Sequence, residues 1–103
     1  MANLDINIDK LELAAGKLRA ISHPMRIAII ELLAQGKPLS VTEIYSSLHI
    51  EQATASHHLN ILKSKNVLIS RRDGKKIFYD LQSQSITEII ECINRCNDAN
   101  QTI

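Results

Sequence analysis

At 103 residues the chain has the length of one small domain, and 45% apolar residues without a low-complexity tract make it globular rather than disordered. Only Tyr45, Phe78 and Tyr79 are aromatic, so the core must be aliphatic, and base stacking on an aromatic platform, the single-strand RNA mode, has little to work with. The net charge is only +1, no apolar run approaches a membrane span and the start lacks signal-peptide regions, which leaves a cytoplasmic protein with neither a membrane nor RNA as expected partner.

Residues 1–8 carry no pattern and, with 98–103, are expected to be flexible ends of a single domain spanning 1–103. Asp9 to Ile21 reads as a helix with Leu11, Ala14, Leu18 and Ile21 on one face, Leu13 beside it and Gly16 as a mild weakness. Ser22 is a candidate cap, with Pro24 near the first helical position of a second helix. From Met25 to Leu33 that helix is apolar almost all round, the pattern of a central buried element. Gly36 stands where a helix end favours a left-handed residue, and Pro38 prevents continuation.

Leu39 to Val41 suggests a very short strand, overlapped by Ser40-Val-Thr-Glu43, a capping-box signature that predicts a helix over about Val41 to Leu48. His49, Ile50 and Glu51 break the pattern. A further helix then carries Ala55, Leu59 and Leu62 at core-facing spacing, and two short helices joined by about three residues form a helix-turn-helix. Glu51 is a poor N-cap for its position, and Ile61 falls on the outer side of the wheel. Val67 to Arg71 and Ile77 to Leu81 read as strands around an Asp73-Gly74 hairpin signal. A second capping signature, Ser85-Ile-Thr-Glu88, opens a last helix with Ile86, Ile89, Ile90 and Ile93 in register, Cys96 extending the stripe and Cys92 beside it.

Charge is uneven along this order. From Lys63 to Lys76 there are six basic residues (Lys63, Lys65, Arg71, Arg72, Lys75, Lys76) against Asp73, a local net of +5 within a chain of +1, so the rest sums to −4. Basic charge beside a recognition helix is what phosphate contact requires. The run Gln52-Ala-Thr-Ala-Ser-His-His-Leu59, the hairpin Arg71-Arg-Asp-Gly-Lys-Lys-Ile-Phe-Tyr79 and the segment Leu18-Arg-Ala-Ile-Ser-His-Pro-Met-Arg-Ile27 together resemble the ArsR/SmtB family of bacterial winged-helix repressors, over roughly Leu11 to Cys96. The resemblance implies a mainly α winged helix-turn-helix of five helices plus a two-stranded wing, dimerising through the first and last helices. The two terminal apolar stripes point the same way, the alternative being a monomer with both stripes folded inward.

With Ala55, Leu59 and Leu62 inward, Ala53, Thr54 and His57 point outward and Gln52 and Ser56 lie on the flank. Residues at the start of a recognition helix reach base edges: Gln52 can read adenine, Thr54 and Ser56 can bond base or phosphate, the Ala53 methyl can meet thymine, and His57 can donate to phosphate or guanine. The family's Ser-His motif falls on Ser56 and His57, and His58 belongs to the same helix. Arg71, Arg72, Lys75 and Lys76 bracket the hairpin turn and are expected to follow the DNA backbone. Solvent-facing polar residues and ordinary strand-edge charges are the plain alternatives.

The family's metal ligands are missing where the resemblance would place them. Glu43-Ile-Tyr-Ser-Ser-Leu-His49 has no thiolates, and Ser83, Ser85, Cys96 and Ala99 offer one ligand among four. Cys92 and Cys96, spaced i, i+4, remain as small hydrophobes packed in the dimer interface, a thiol sensor or a soft-metal site. The reading is a homodimeric regulator, a repressor by resemblance, of double-stranded DNA at a pseudo-palindromic operator. Its rivals are a winged-helix protein-interaction module and an enzyme, for which no nucleophile, base and orienting group assemble and no glycine-rich phosphate loop exists.

Overall fold

Helix α1 (Ile8–Ile21) starts at Asn7, whose Oδ1 accepts the Lys10 amide at 3.2 Å, one residue earlier than the apolar pattern suggests. The computed structural model describes residues 5–101, so the expectations for 1–4 and 102–103 lie outside the described residues. Only Gly16, Ala20 and Ile21 of α1 are buried. At Gly16 an added Cβ would meet only ordinary contacts, the Arg19 and Lys65 side chains at 4.0 Å, so nothing in the packing requires a glycine there. Leu11, Leu13 and Leu18 are more than half exposed in the single chain.

Helix α2 (Pro24–Leu33) is capped by His23, whose Nδ1 accepts the Met25 amide at 3.0 Å, rather than by Ser22. Its residues Ile29, Ile30 and Leu33 form the centre of the core, as an all-round apolar helix should. The chain then turns at Gly36, with φ +112°, into β1 (Leu39–Ser40).

Ser40 does two jobs. It pairs opposite Phe78 as the last residue of β1 and caps α3 (Val41–Leu48), its Oγ accepting the Glu43 amide at 3.1 Å while Glu43 Oε1 accepts the Ser40 amide at 3.0 Å. These bonds, led by the Ser40 amide, hold the Glu43 carboxyl below its usual value. Ser40→Ala is expected to destabilise the fold by about 1 kcal/mol. At fixed protein concentration that is a thermal midpoint lower by roughly 4 to 8 °C, and an unchanged midpoint would make the box ornamental.

Helix α3 ends on His49 in the left-handed region (φ 55°), its amide donating to the Ser46 carbonyl at 3.3 Å and the Ile50 amide to Tyr45 at 3.1 Å. This is a Schellman closure on a residue other than glycine, and it makes the sharp corner into α4 (Gln52–Ser64). Asn66 (φ 60°) closes α4 the same way, through Asn66 to Lys63 and Val67 to Leu62 bonds. Ala55, Leu59 and Leu62 are wholly buried, and Ile61, outward by the wheel, packs partly buried against the core.

Strands β2 (Leu68–Asp73) and β3 (Lys76–Leu81) are longer toward the turn than the sequence suggests, and β1 adds a third strand in the antiparallel order β1-β3-β2. Asp73 pairs with Lys76, so the two-residue loop is Gly74-Lys75, one step past the Asp-Gly signal. Gly74 has φ +66° and Lys75 does not share the left-handed region, which is the requirement of a type II′ turn. Helix α5 (Ser85–Gln101) continues beyond Asn97. Ser85 is already its first residue, and its amide donates to Ser83 Oγ at 3.1 Å, so the polar cap sits two residues before the one the Ser-x-x-Glu signature suggests. Ile86 and Ile90 enter the core, while Ile93, Cys92 and Cys96 are exposed.

Candidate nucleic-acid interface

The buried stripe of α4 fixes which of its side chains meet solvent. Gln52, Ala53, Thr54 and His57 are exposed and Ser56 is half-buried, and no side chain caps the helix at Glu51, so its first amides have no capping acceptor. Between α4 and the wing runs an open concavity of about 390 Å³, lined on one side by Gln52, Ser56 and Asn60 and on the other by Lys75, Lys76, Ile77 and Tyr79. The start of α3, Ser40 to Thr42, closes one end. The fold thus brings Gln52 and Ser56 together with Lys75 and Lys76, while Ala53, Thr54 and His57 occupy the adjoining outer side of α4.

The four wing bases do not act as one group. Arg72 pairs with Ile77 and by strand alternation shares the sheet face of Tyr79, the face toward α4. Arg71 pairs with Phe78 on the opposite face, its guanidinium 6.0 Å from the ring centroid, beside Pro38, Ile69 and Asp80. Asn60 and Thr42 were missed by sequence reasoning. Asn60 was findable, since it continues the Gln52 and Ser56 row by one more step of four, but Thr42 needed the tertiary fold.

His58, next to His57 on the same helix, points inward. It is 7% exposed and accepts a hydrogen bond at Nδ1 from Arg26 Nε at 3.2 Å. Burial, then the neighbouring His23, Arg26 and His57, lower its pKa from the ordinary histidine value. As a depressed histidine it stabilises the fold fully above its unfolded pKa and loses that contribution as pH falls through the folded one.

Among the described residues no group of three or more His, Cys, Asp and Glu could hold a metal ion. Cys92 and Cys96 are both free and exposed in the single chain. Among the described residues no further His, Cys, Asp or Glu joins these two cysteines as a candidate ligand group. No helix among the described residues is long and apolar enough to cross a membrane.

A model of a helix-turn-helix domain matches residues 21–71 of this chain. The Bacillus anthracis transcriptional repressor PagR is 37% identical over 84 residues, 82% of this chain and 84% of that one. The arsenical resistance operon repressor of Staphylococcus aureus is 31% identical over 84 residues, 82% of this chain and 80% of that one. The chain belongs to the ArsR/SmtB family. Among solved structures, the homodimeric winged helix-turn-helix DNA-binding domain of a possible ArsR-family regulator from Mycobacterium bovis superposes with a TM-score of 0.83 at 26% identity, covering 98% of this chain and 94% of the other. This ArsR/SmtB chain therefore has the family's five helices and hairpin wing, with β1 completing a three-stranded sheet.

Proposed function

We propose that the protein is a cytoplasmic, non-enzymatic transcriptional repressor that binds a pseudo-palindromic operator in double-stranded DNA as a homodimer. The carrying observation is the concavity in which the polar row of α4 faces the basic wing tip, within a segment of net charge +5. A duplex presents base edges in the major groove and phosphates at its rim. Gln52, Ala53, Thr54, Ser56 and His57 suit the first, and Arg72, Lys75 and Lys76 suit the second. Arg71, held over Phe78 on the far face, is the weakest of the proposed contacts. Two such helices in a symmetric dimer meet successive major grooves, so half-sites should lie roughly 34 to 36 Å apart or at a multiple of that.

The relatives support this reading through what their names record, repressors of transcription and of an arsenical resistance operon, and the mycobacterial neighbour through its homodimer. Salt dependence tests it. Arg72→Ala with Lys75→Ala should weaken binding to operator and random duplex alike and flatten the slope of log affinity against log salt by about two units, one for each lost phosphate contact. Arg71→Ala should flatten it less. A slope that the double variant leaves unchanged would remove the wing from the interface.

A further inference from the structure

Arg26 joins three helices. Its Nη1 donates to the Ala20 carbonyl at the end of α1, at 3.0 Å, and its Nε donates to His58 on α4 at 3.2 Å. Helix α1 carries most of the exposed apolar surface and α4 carries the polar row, so this one side chain ties the helix suited to a partner subunit to the helix suited to DNA. Building on the DNA-binding reading above, we propose that the Arg26 to His58 bond is a positioning contact that sets the recognition helix against the α1–α2 corner, and that it holds only while His58 is neutral, so that acidification weakens operator binding.

The chemistry of the cluster supplies the direction. A neutral imidazole can accept at Nδ1, whereas an imidazolium donates from both nitrogens and meets the guanidinium with a like charge. The groups acting on His58 are His23, at the start of α2 with ring centroids 4.6 Å apart, Arg26 within α2, and His57 on its own helix at 5.5 Å. All are basic, and from α1 the cluster receives only the Ala20 carbonyl, which is already taken by Arg26. Nothing in this set compensates a proton on His58. Protonation therefore breaks the link on the α4 side, while the α1 side of Arg26 stays bonded.

His57, exposed on the same helix, faces the proposed DNA side, where any positive charge would favour phosphate. The test must therefore isolate His58. His58→Asn retains an acceptor near the Nδ1 position but cannot titrate, and every other histidine is common to it and the wild type. Affinity of each for an operator duplex selected from a random library is measured by fluorescence anisotropy at about pH 7.5 and about pH 5.5 at constant ionic strength. On acidification the wild type is expected to lose roughly fivefold to tenfold more affinity than the variant.

In parallel, the His58 ring and the Arg26 Nε–H of the free wild-type protein are followed by NMR across the same range. Both signals should move together with one midpoint. Equal losses in wild type and variant, or an Arg26 signal indifferent to the His58 midpoint, would overturn the positioning role while leaving DNA binding intact. Failure to bind any duplex at either pH would instead overturn the DNA-binding reading and this inference with it.

Discussion

Leu18→Asp combined with Ile93→Asp is expected to give a folded monomer in sedimentation, with operator affinity lower by about a hundredfold or more. Both side chains are exposed in the single chain, Leu18 at 53% and Ile93 at 43%, so neither substitution disturbs the monomer's own core. In a dimer built on α1 and α5 each new carboxylate is buried without a partner, at a cost of several kcal/mol per charge. Among the described residues, every large exposed apolar side chain but Ile69 lies on α1, just before it, or on α5, which is why the effect should concentrate there. The loss on DNA follows from geometry, because two linked recognition helices engage two half-sites in one event and a monomer engages one. An intact dimer would place the interface elsewhere. A monomer of undiminished affinity would instead mean that one half-site suffices.

Local chemistry made much of the fold legible. Ser40 with Glu43 marked the start of α3 to the residue, the Ala55, Leu59 and Leu62 stripe named the buried face of α4, and the apolar Met25 to Leu33 run named the central helix. Where the reading slipped, a different nearby residue had met the same local need. His23 rather than Ser22 caps α2, Ser83 rather than Ser85 serves the start of α5, and the pairing of Asp73 with Lys76 moved the turn one residue on. The site was legible along the chain but not across it. Periodicity tells that Gln52 and Ser56 share a flank, while only the packing of the wing against α4 shows that this flank faces Lys75 and Lys76 and that Arg71 does not. His58 illustrates the same limit. Its neighbour Leu59 signals the core, yet a polar residue next to a core stripe is read as solvent-facing until its partner, thirty-two residues back at Arg26, is seen.

The two faces of α4 should separate cleanly in one further pair of variants. Leu59 is completely buried among Leu62, Ile44 and the α2 residues of the core, so Leu59→Ala removes three heavy atoms and leaves a void that the surrounding helices fill only in part. A loss of about 2 to 5 kcal/mol is expected, a large share of the roughly 5 to 15 kcal/mol that stabilises a domain of ordinary size. It should appear as a lower denaturant midpoint at unchanged slope. Operator preference over random duplex, measured well below that midpoint, should persist, because the outward side chains are untouched. Gln52→Ala is the converse. Its side chain is exposed at the end of α4 that faces the groove, so stability should change by no more than about 0.5 kcal/mol. Preference for the operator should instead fall by roughly 1 to 3 kcal/mol, the worth of one good base contact. If Gln52→Ala lowers affinity for operator and random duplex equally, Gln52 holds the backbone rather than reading a base. If Leu59→Ala leaves the midpoint where it was, the packing described for the inner face of α4 is wrong.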